Sequence, residues 1–562
     1  MKIAQKTFKK FLFYIFPQLK LVHNFSKKVT GLKNTKKKYR IIKMRLSLKI
    51  IVGSACSFLF IILIGFILFP HVIKSQVKKM VNLKPGQDIR EMFLKVPFPL
   101  SFKVYIFSVV NPDEVQKGAM PILEEKGPFC YQEWKTKINV EDIDGDDTIS
   151  YDPVDTFIEM SEPGCAAFDT EVNIAHPMIL GMVNTISRQK PGALTLANKA
   201  IKSIWLNPMS LFITVKARDV LFDGVTINCG VQDFAGKAIC TQLKGEPSLK
   251  HISEDDLEFS LLGPKNATPG KRIKAFRGSQ DFHLVGRIVT YDTKFKMEVW
   301  NDTKCDVIFG TDGTIFPPML KKEEGLASFS PDLCRALVAK FKTQTKYDGI
   351  PVSYYDASLG DQSKNPEDAC YCTTPQTCLK KGLMDLYKCA GIPIYVSQPH
   401  FYDSDESYLK GVRGLKPEVE KHAIRILFEP LTGSPVSARK RLQFNMPLEP
   451  NPKVEIFHNF TPTILPIFWV EEGVDLNNTF TKPLKTLFLM KKIVTIMKYT
   501  VLLVSLAGLG AGIYLHVRPD ESMTVTTVNK VKPEENGTKI TKTIDDDMMD
   551  GLEKNGYREE KY

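Results

Sequence analysis

Two long apolar stretches near opposite ends of the chain constrain its fold more than any other feature. The first runs from Ile50 to Pro70 and the second from Tyr499 to Val517, and neither contains Asp, Glu, Lys or Arg. Each is long enough to cross a hydrocarbon core of about 30 Å as a helix. Two crossings place both ends of the chain on the same side of a membrane. We therefore predict transmembrane helices at 50–70 and 499–517, with one large extracellular domain, 71–498, between them.

The basic character of the chain comes from one terminal segment. The net charge is +13, but residues 1–49 contain 15 Lys and Arg and no Asp or Glu. The rest of the chain therefore has no cationic excess, which argues against a nucleic-acid-binding domain. Basic residues beside a first span mark the cytoplasmic side. Lys43, Arg45 and Lys49 thus predict that both termini are cytoplasmic.

The two terminal segments are predicted to lack a folded core. Residues 1–49 form a basic cytoplasmic segment, and we interpret 1–43 as an upstream extension of the gene model with Met44 as the start. A targeting segment or a contact with lipid head groups is the alternative. Residues 518–562 contain 8 basic and 11 acidic side chains, which is typical of a disordered tail in the cytosol.

Ten of the 11 cysteines lie in the predicted extracellular domain, and Cys56 lies in the first span. An even cluster in a translocated domain predicts disulfides. The spacing alone leaves 15 pairings open for six cysteines. A zinc site is less favoured because Cys370 and Cys372 are separated by one residue. The cluster consists of Cys305, Cys334, Cys370, Cys372, Cys378 and Cys389. Outside it, Cys229 and Cys240 are a candidate pair, and Cys130 and Cys165 are either a pair or buried thiols.

Four Asn-x-Ser/Thr sites in the same domain are candidates for N-glycosylation: Asn266, Asn301, Asn459 and Asn477. Asn459 is the weakest of them because Pro462 follows its threonine. Glycans at these positions require the domain to face the secretory lumen, in agreement with the disulfide prediction.

Between the spans, strands are predicted to outnumber helices. Short alternating runs recur between turn signals. These runs begin at Lys103, Thr148, Val285 and Arg441.

Three helices are predicted in the same region. Ser330-Pro331-Asp332 resembles a helix start, with Leu333, Leu337 and Phe341 at helical spacing after it. A second helix follows Pro191-Gly192, with Ala193, Ala197, Ala200, Ile201 and Ile204 on one apolar face and Asn207-Pro208 as its end. Pro177–Ile186 is apolar enough to be the partner of this second helix.

No motif of a known catalytic site is present. The sequence lacks a Gly-x-Ser-x-Gly elbow, a His-Glu-x-x-His pair and a phosphate-binding glycine loop. Acidic residues around Gly145 do not continue with the spacing of a calcium loop, so a solvated hairpin tip is favoured. Gly508 and Gly512 in the second span are spaced to pack against another helix, although small residues are common in spans. We expect no enzyme activity, no metal and no cofactor.

The central domain resembles the class B scavenger receptor family over most of the chain, from Met44 to about Val517. The motifs that carry the resemblance are Lys103–Pro112 (KVYIFSVVNP), Glu125–Phe129 (EKGPF), Gly310–Pro318 (GTDGTIFPP), Phe329–Cys334 (FSPDLC) and Phe428–Gly433 (FEPLTG). Within this family the chain is most similar to the insect sensory neuron membrane protein branch, type 1. That similarity rests on Gly263–Thr268 (GPKNAT), Gly382–Leu386 (GLMDL), Phe468–Glu472 (FWVEE) and Lys530–Glu535 (KVKPEE).

The resemblance implies a specific architecture. Its disulfides pair Cys305 with Cys370, Cys334 with Cys389, and Cys372 with Cys378. Its fold is α+β, with two transmembrane helices that flank an ectodomain. The ectodomain has an antiparallel β-barrel-like core, a helical cap at the apex and an internal apolar tunnel toward the bilayer.

The resemblance also implies a function. We expect a non-enzymatic receptor that funnels fatty-acid-derived odorants or pheromones through the tunnel to an odorant receptor and its co-receptor. Its place would be the plasma membrane of an olfactory dendrite or cilium. Arg188, Lys190, Lys199 and Lys202 near the cap are candidates to attract a ligand carboxylate or an acidic odorant-binding carrier protein, unless they simply form a solvated helix face. The alternatives are a scavenger or lysosomal receptor for lipid or protein cargo with the same fold, and a membrane-tethered ectoenzyme.

Overall fold

The computed structural model of the chain describes residues 46–374 and 377–517. The predictions for residues 1–43, for Met44 and for the tail 518–562 therefore lie outside the described residues.

Strands outnumber helices in the region between the apolar segments, as predicted. The strands are β1 (Leu100–Val109), β2 (Leu123–Ile143), β3 (Thr148–Glu159), β4 (Glu171–Ala175), β5 (Phe212–Lys216), β6 (Val225–Asn228), β7 (Leu249–His251), β8 (Asp256–Phe259), β9 (Ile273–Phe276), β10 (Ile288–Tyr291), β11 (Leu326–Ser330), β12 (Arg335–Tyr347), β13 (Ile350–Ala357), β14 (Met384–Asp385), β15 (Tyr395–Ser397), β16 (Ile424–Glu429), β17 (Ser434–Leu448) and β18 (Thr463–Asp475). The helices are α1 (Ser47–Met80), α2 (Asp88–Leu94), α3 (Pro112–Gln116), α4 (Pro177–Gln189), α5 (Leu194–Ile204), α6 (Phe234–Lys244), α7 (Tyr387–Ala390), α8 (Glu406–Leu409), α9 (Val419–His422) and α10 (Asn478–Val517).

Two helices, α1 and α10, are long and apolar enough to cross a membrane. They contain the predicted apolar segments but continue beyond them toward the central domain, α1 by ten residues to Met80 and α10 from Asn478. The serines Ser57 and Ser505 form a hydrogen bond of 2.9 Å, and Ser47 lies 3.4 Å from the ring of His516. The early part of α1 thus contacts the late part of α10. The pair is antiparallel, with both outer ends on one side.

The two glycines of the second span pack against the first span. A side chain at Gly508 would meet the hydroxyl of Ser54, and one at Gly512 would meet Ile51. Small residues at four-residue spacing let two helix backbones approach closely. The partner of the Gly508-x-x-x-Gly512 motif is therefore the other end of the same chain.

The large sheet curls into a nearly closed antiparallel barrel. In the described residues its order is β10-β9-β3-β2-β1-β18-β17-β16-β13-β12-β11, with β15 and β14 added beside β17. The edge strands are joined by the segment around Gly310. Its carbonyl accepts from Ile288 of β10, and Thr311 pairs with Ser328 of β11. Because this segment contacts both edges, the edge strands are covered.

The cap helices are confirmed and lie at one end of the barrel. In α5, Ala197, Ala200, Ile201 and Ile204 are buried as predicted, together with Leu194 in place of Ala193. The helix α4 packs on the end of β17, where its Asn184 donates to the carbonyl of Pro447 at 2.8 Å. The opposite end of the barrel carries the end of β18, which leads directly into α10.

The helix predicted after Ser330 is wrong. Pro331–Leu333 forms a single 3-10 turn, Cys334 adopts a left-handed conformation, and β12 begins at Arg335. The spacing of four between Leu333, Leu337 and Phe341 also fits one face of a strand, where side chains repeat every two residues. The turn returns the chain into a hairpin, which the Cys334–Cys389 bridge holds in place.

Two other predictions need correction in detail. The strand expected at Val285 begins at Ile288. The acidic turn around Gly145 is the tip of the β2–β3 hairpin, as expected, but it is not simply solvated. Asp147 is buried and accepts from Ser279 and Gln280, while Arg277 pairs with Asp144 at 2.7 Å.

In the described residues, five disulfides are present. Cys305–Cys370, Cys334–Cys389 and Cys372–Cys378 are the pairs that the resemblance implies. The other two are Cys130–Cys165 and Cys229–Cys240, which the sequence left open. Cys56 in α1 is unpaired and exposed.

The antiparallel packing of α1 and α10 predicts that an engineered disulfide can join them. In a Cys56→Ser background, we expect the double substitution Ser57→Cys and Ser505→Cys to form a disulfide on mild oxidation, because the two hydroxyl oxygens lie 2.9 Å apart. The five native bridges join residues between 130 and 389. A protease cut between one span and that region therefore leaves the two spans on separate fragments. On a non-reducing gel the fragments run apart unless the new bridge joins them.

The matched control is Leu59→Cys with Ser505→Cys, because the side chain of Leu59 is 65% exposed and points away from α10. Equal cross-linking of both pairs would contradict the packing of the two helices.

Candidate functional site

The inner face of the barrel carries an apolar row of side chains across four neighbouring strands. Leu442, Val470, Val104 and Phe129 lie directly opposite one another on β17, β18, β1 and β2. Residues opposite one another in a sheet point to the same face. Val104 and Phe129 are fully buried, and Val470 is partly buried. One level toward the cap, Phe444 stacks on Phe468 with ring centres 4.8 Å apart.

The next row toward the membrane helices is polar. It consists of Lys440, Glu472, Phe102 and Tyr131 on the same four strands. Lys440 lies 3.4 Å from Glu472 and keeps 46% of its side chain accessible. The row is therefore not closed off by packed side chains.

Lys135 of β2 connects this row to further carboxylates. Its ammonium nitrogen lies 2.5 Å from Glu133, 3.3 Å from Asp155 and 3.3 Å from Glu472. Asp332, in the turn after β11, pairs with Lys265 and interacts electrostatically with Lys440 and Lys135. Groups from both sides of the ring of strands thus converge, although Lys265 and Asp332 themselves are exposed. We call these seven charged residues the luminal cluster: Lys135, Lys265, Lys440, Glu133, Asp155, Asp332 and Glu472.

The pKa values of Glu133 and Glu472, two carboxyls of the luminal cluster, are shifted in opposite directions. Burial raises the pKa of Glu133 to about 7, and repulsion from Glu472 adds to the effect while Lys135 opposes it. Burial also opposes ionisation of Glu472, but Lys135 and Lys440 outweigh it and lower its pKa to about 2. At neutral pH Glu472 is therefore an anion, while Glu133 is divided between its two protonation states.

A cleft of about 590 Å³ is lined by residues of the luminal cluster and by Phe444. Lys271, Lys294 and Asp332 are among its charged lining residues, and Phe444 is among its apolar ones. This volume lies within the range of small-molecule sites. The expected apolar tunnel stays a prediction, and the cleft combines apolar with charged side chains.

The outer face of the same strands holds a separate network. His400 stacks on His422 at 4.2 Å and lies 2.6 Å from the carboxylate of Glu125, which also accepts from the indole of Trp469. Burial and the neighbouring His400 lower the pKa of His422 to about 4. Nδ1 of each histidine accepts from a backbone amide. These contacts hold the segment around His400 against the barrel, which agrees with a structural role for both histidines.

The four cations predicted near the apex do not form one group. Arg188 donates to the buried Asp385 at 2.8 Å and to the hydroxyl of Tyr395 at 2.7 Å. Lys202 pairs with Glu455. Lys190 and Lys199 are exposed, and no ion pair to the described residues involves them. Lys190 and Lys199 thus remain candidates for contact with an acidic carrier, whereas Arg188 ties the cap to the barrel.

The predicted glycosylation sites lie at the surface to different degrees. Asn301, Asn459 and Asn477 are exposed, and Asn266 is partly buried. The side-chain oxygen of Asn266 accepts from the backbone of Phe157 at 2.9 Å. Glycosylation stays a prediction at all four positions.

Sequence reasoning missed the luminal cluster and Tyr131. The alternation of Glu133, Lys135 and Lys137 with Trp134 and Thr136 predicts a strand with one charged face, but such a face is usually assigned to solvent. The partners of Lys135 were not identifiable, because Glu472 is more than 300 residues away in the chain.

Comparison with known proteins identifies one family and a set of relatives that share one name. Residues 51–516 match the family model described as the CD36 family. Sensory neuron membrane protein 1 of Manduca sexta is 42% identical over 86% of this chain and 95% of its own. The proteins of the same name from Helicoverpa assulta and Apis mellifera are 44% and 41% identical, over 85% and 84% of this chain and 93% and 92% of their own.

The raised pKa of Glu133 predicts that the unfolding free energy of the protein depends on pH. An acid with a raised pKa binds its proton more tightly in the folded protein, so its contribution to stability falls as the pH rises from about 4.3 to about 7. Glu133→Gln removes this dependence. Relative to the unsubstituted chain, we expect the variant to gain on the order of 2 kcal/mol of unfolding free energy between pH 5 and pH 8.

Thermal unfolding in detergent at both pH values measures this difference. Glu141→Gln, an exposed change on the same strand, is the control. A constant difference between the Glu133 variant and the unsubstituted chain would show that Glu133 titrates normally.

Substitutions at Arg188 and at Lys199 are predicted to change the unfolding free energy by different amounts. Arg188→Gln leaves the buried carboxylate of Asp385 without its cation and should lower the unfolding free energy by about 2 kcal/mol. Lys199→Gln, on the exposed face of α5, should change it by less than about 0.5 kcal/mol. Urea unfolding followed by tryptophan fluorescence measures both, and equal effects would contradict the distinct roles.

Proposed function

The chain belongs to the CD36 family, and from this premise we propose that it takes up long-chain, lipid-derived odorants or pheromones and passes them through the barrel toward the membrane. Its relatives point to a membrane receptor of the class B scavenger kind rather than an enzyme. The finer proposal is that ligands reach an odorant receptor and its co-receptor in an olfactory dendrite or cilium. We place both termini in the cytoplasm and residues 71–498 outside the cell.

One observation supports the proposal: a cleft beside the barrel strands has apolar side chains in its lining. Met297, Ile394 and Phe444 form an apolar wall in the cleft of about 590 Å³. Burial of each CH₂ group of a ligand is worth about 0.8 kcal/mol, so such a wall favours long chains over short volatile molecules. The membrane helices leave from the barrel end opposite the cap, so the proposed path runs from the cap toward the membrane.

The cap supports uptake from a soluble carrier. Lys190 lies just after α4 and Lys199 lies on α5, and both are exposed. Exposed lysines raise the encounter rate with an acidic partner, an effect that salt screens. A carrier protein of the odorant-binding type with an acidic surface is the partner that we propose for this face.

Filling the lumen should block lipid transfer. Val470 lies in the middle of the apolar row and is only partly buried, so Val470→Trp adds volume where space exists. We expect the variant, reconstituted in liposomes, to take up a fluorescent long-chain lipid at least about fivefold more slowly than the unsubstituted protein, equivalent to about 1 kcal/mol. Transfer is followed from donor vesicles by dequenching.

Ser101→Trp is the matched control, because Ser101 is exposed on the outer face of the neighbouring strand β1. Retained surface expression and an unchanged melting temperature show that each variant is folded. Unaltered transfer through a folded Val470→Trp protein would contradict a route through the barrel.

A further inference from the structure

The ends of α1 and α10 that face the barrel are rich in lysine and lack acidic residues. Residues 71–87 contain four lysines and residues 476–498 contain five, and neither segment contains Asp or Glu. This end of the helix pair lies opposite the end whose basic residues mark the cytoplasm. The rule that places basic residues in the cytoplasm therefore does not account for these lysines.

Contacts between the two helices show at which depth these lysines lie. The ammonium of Lys498 lies 4.2 Å from the ring centre of Phe66, and the rings of Phe66 and Tyr499 pack edge to face at 5.9 Å. Lys74 follows Phe66 by eight residues and Lys491 precedes Tyr499 by eight, which is about 12 Å along each helix. The apolar segment of α1 ends four residues after Phe66, so both lysines lie about 6 Å outside it. Polar head groups form a layer of about 5–7 Å at this depth.

Five lysines near this depth are exposed, and no ion pair to the described residues involves them. We call them the basic collar: Lys74, Lys78, Lys79, Lys491 and Lys492. The ammonium groups of Lys74 and Lys78 each lie 5.9 Å from the ring centre of Phe282, at the outer limit of a cation–π contact. The collar thus carries positive charge that the chain itself does not pair.

Two acids on the barrel side of the helices are engaged elsewhere. Asp348 pairs with Lys485, which lies nearer the barrel on α10 than the collar does. The carboxylate of Asp281, next to Phe282 in the chain, accepts from the backbone amide of His283 at 3.0 Å. The positive charge of the collar is therefore available to a partner outside the chain.

An exposed apolar stripe on α10 runs past the collar. Leu489, Ile493, Ile496 and Met497 follow the spacing of one helix face, and all four are exposed. The helix is continuous, and Leu503 extends the exposed apolar surface into the predicted span. Contiguous exposed apolar surface indicates a contact with another molecule or with a membrane. Because this stripe continues the span, we assign lipid as its cover.

We propose that the basic collar binds the anionic head groups of phospholipids in the leaflet on the barrel side of the membrane. The phosphate and carboxylate groups of such lipids complement the charge of the collar, and their chains cover the stripe on α10. Lysine side chains suit this position, because their stems lie along apolar surface while their ammonium groups reach the head groups. The inference goes beyond the proposed function and does not depend on transport through the barrel.

Quenching of a new tryptophan by brominated lipids tests the proposal. Ile496→Trp places a reporter on the stripe, whereas the native tryptophans lie within residues 134–469 of the central domain. The full chain is reconstituted in phosphatidylcholine with a fraction of dibrominated phosphatidylglycerol or dibrominated phosphatidylcholine. At low salt we expect phosphatidylglycerol to bind beside the reporter about fivefold more strongly than phosphatidylcholine. The combined change Lys74→Gln, Lys491→Gln and Lys492→Gln should reduce this preference to less than about twofold.

The matched control is Lys117→Gln with Lys364→Gln and Lys410→Gln, which removes the same charge from exposed positions of the central domain and should keep the preference. A second reporter, Leu515→Trp, lies at the other end of α10 and samples the other leaflet. The collar variant should leave the lipid preference at this second reporter unchanged. If the triple variant does not fold, the double change at Lys491 and Lys492 provides the same comparison.

Three outcomes would overturn the proposal. The first is an unchanged preference in a folded collar variant, or an equal loss in the matched control. The second is an absence of quenching by both brominated lipids, which would show that another molecule, such as a second copy of the chain, covers the stripe. The third is a preference that inorganic phosphate abolishes while chloride of the same ionic strength does not, which would assign the collar to a free anion.

Discussion

The contacts of Lys135 with Glu133, Asp155 and Glu472 determine what kind of space the barrel encloses. Removing a charge from water costs several kcal/mol, which only close partners and residual hydration offset. A barrel with Lys135, Lys440 and Glu472 on its inner face therefore cannot fill this level with packed apolar groups alone. Lys440 accordingly keeps almost half of its side chain accessible. The same charges that make the interior costly keep part of it open, and the proposed passage of ligands depends on that opening.

Hydropathy and helical periodicity predicted the elements whose signal is local. The two apolar segments became the antiparallel pair α1 and α10, and the apolar face of α5 was identified almost residue by residue. Local patterns failed where one spacing of apolar residues fits both a helix and a strand. Leu333, Leu337 and Phe341 repeat every four residues, which suits both a helix and a strand, and tertiary pairing with β11 and β13 decided for the strand.

The luminal cluster was beyond sequence reasoning for a different reason. Its members become neighbours only through the register of β2, β1, β18 and β17, and sequence patterns do not specify that register between distant strands. The charged face of β2 also points inward, against the usual rule that the polar face of an antiparallel strand meets solvent. The disulfide Cys130–Cys165 has a similar origin, since it links β2 to a segment without regular structure. Phe168, three residues after Cys165, packs on Tyr131 with ring centres 5.1 Å apart, so a covalent bond and aromatic packing join the same two segments.

The order of the rows along the barrel has a consequence for transport. On β18 the apolar level at Phe468 lies nearer the cap, and Glu472, four residues and about 13 Å further along, lies nearer the membrane helices. In the proposed route a long-chain ligand meets the apolar level of Phe444 and Phe468 first, where burial of its chain is favourable. To continue toward the bilayer, the chain must cross the charged level, where it gains no comparable apolar contact. In the proposed route the charged row is therefore the barrier to release, because Lys440 and Glu472 must stay paired or hydrated while an apolar chain passes them.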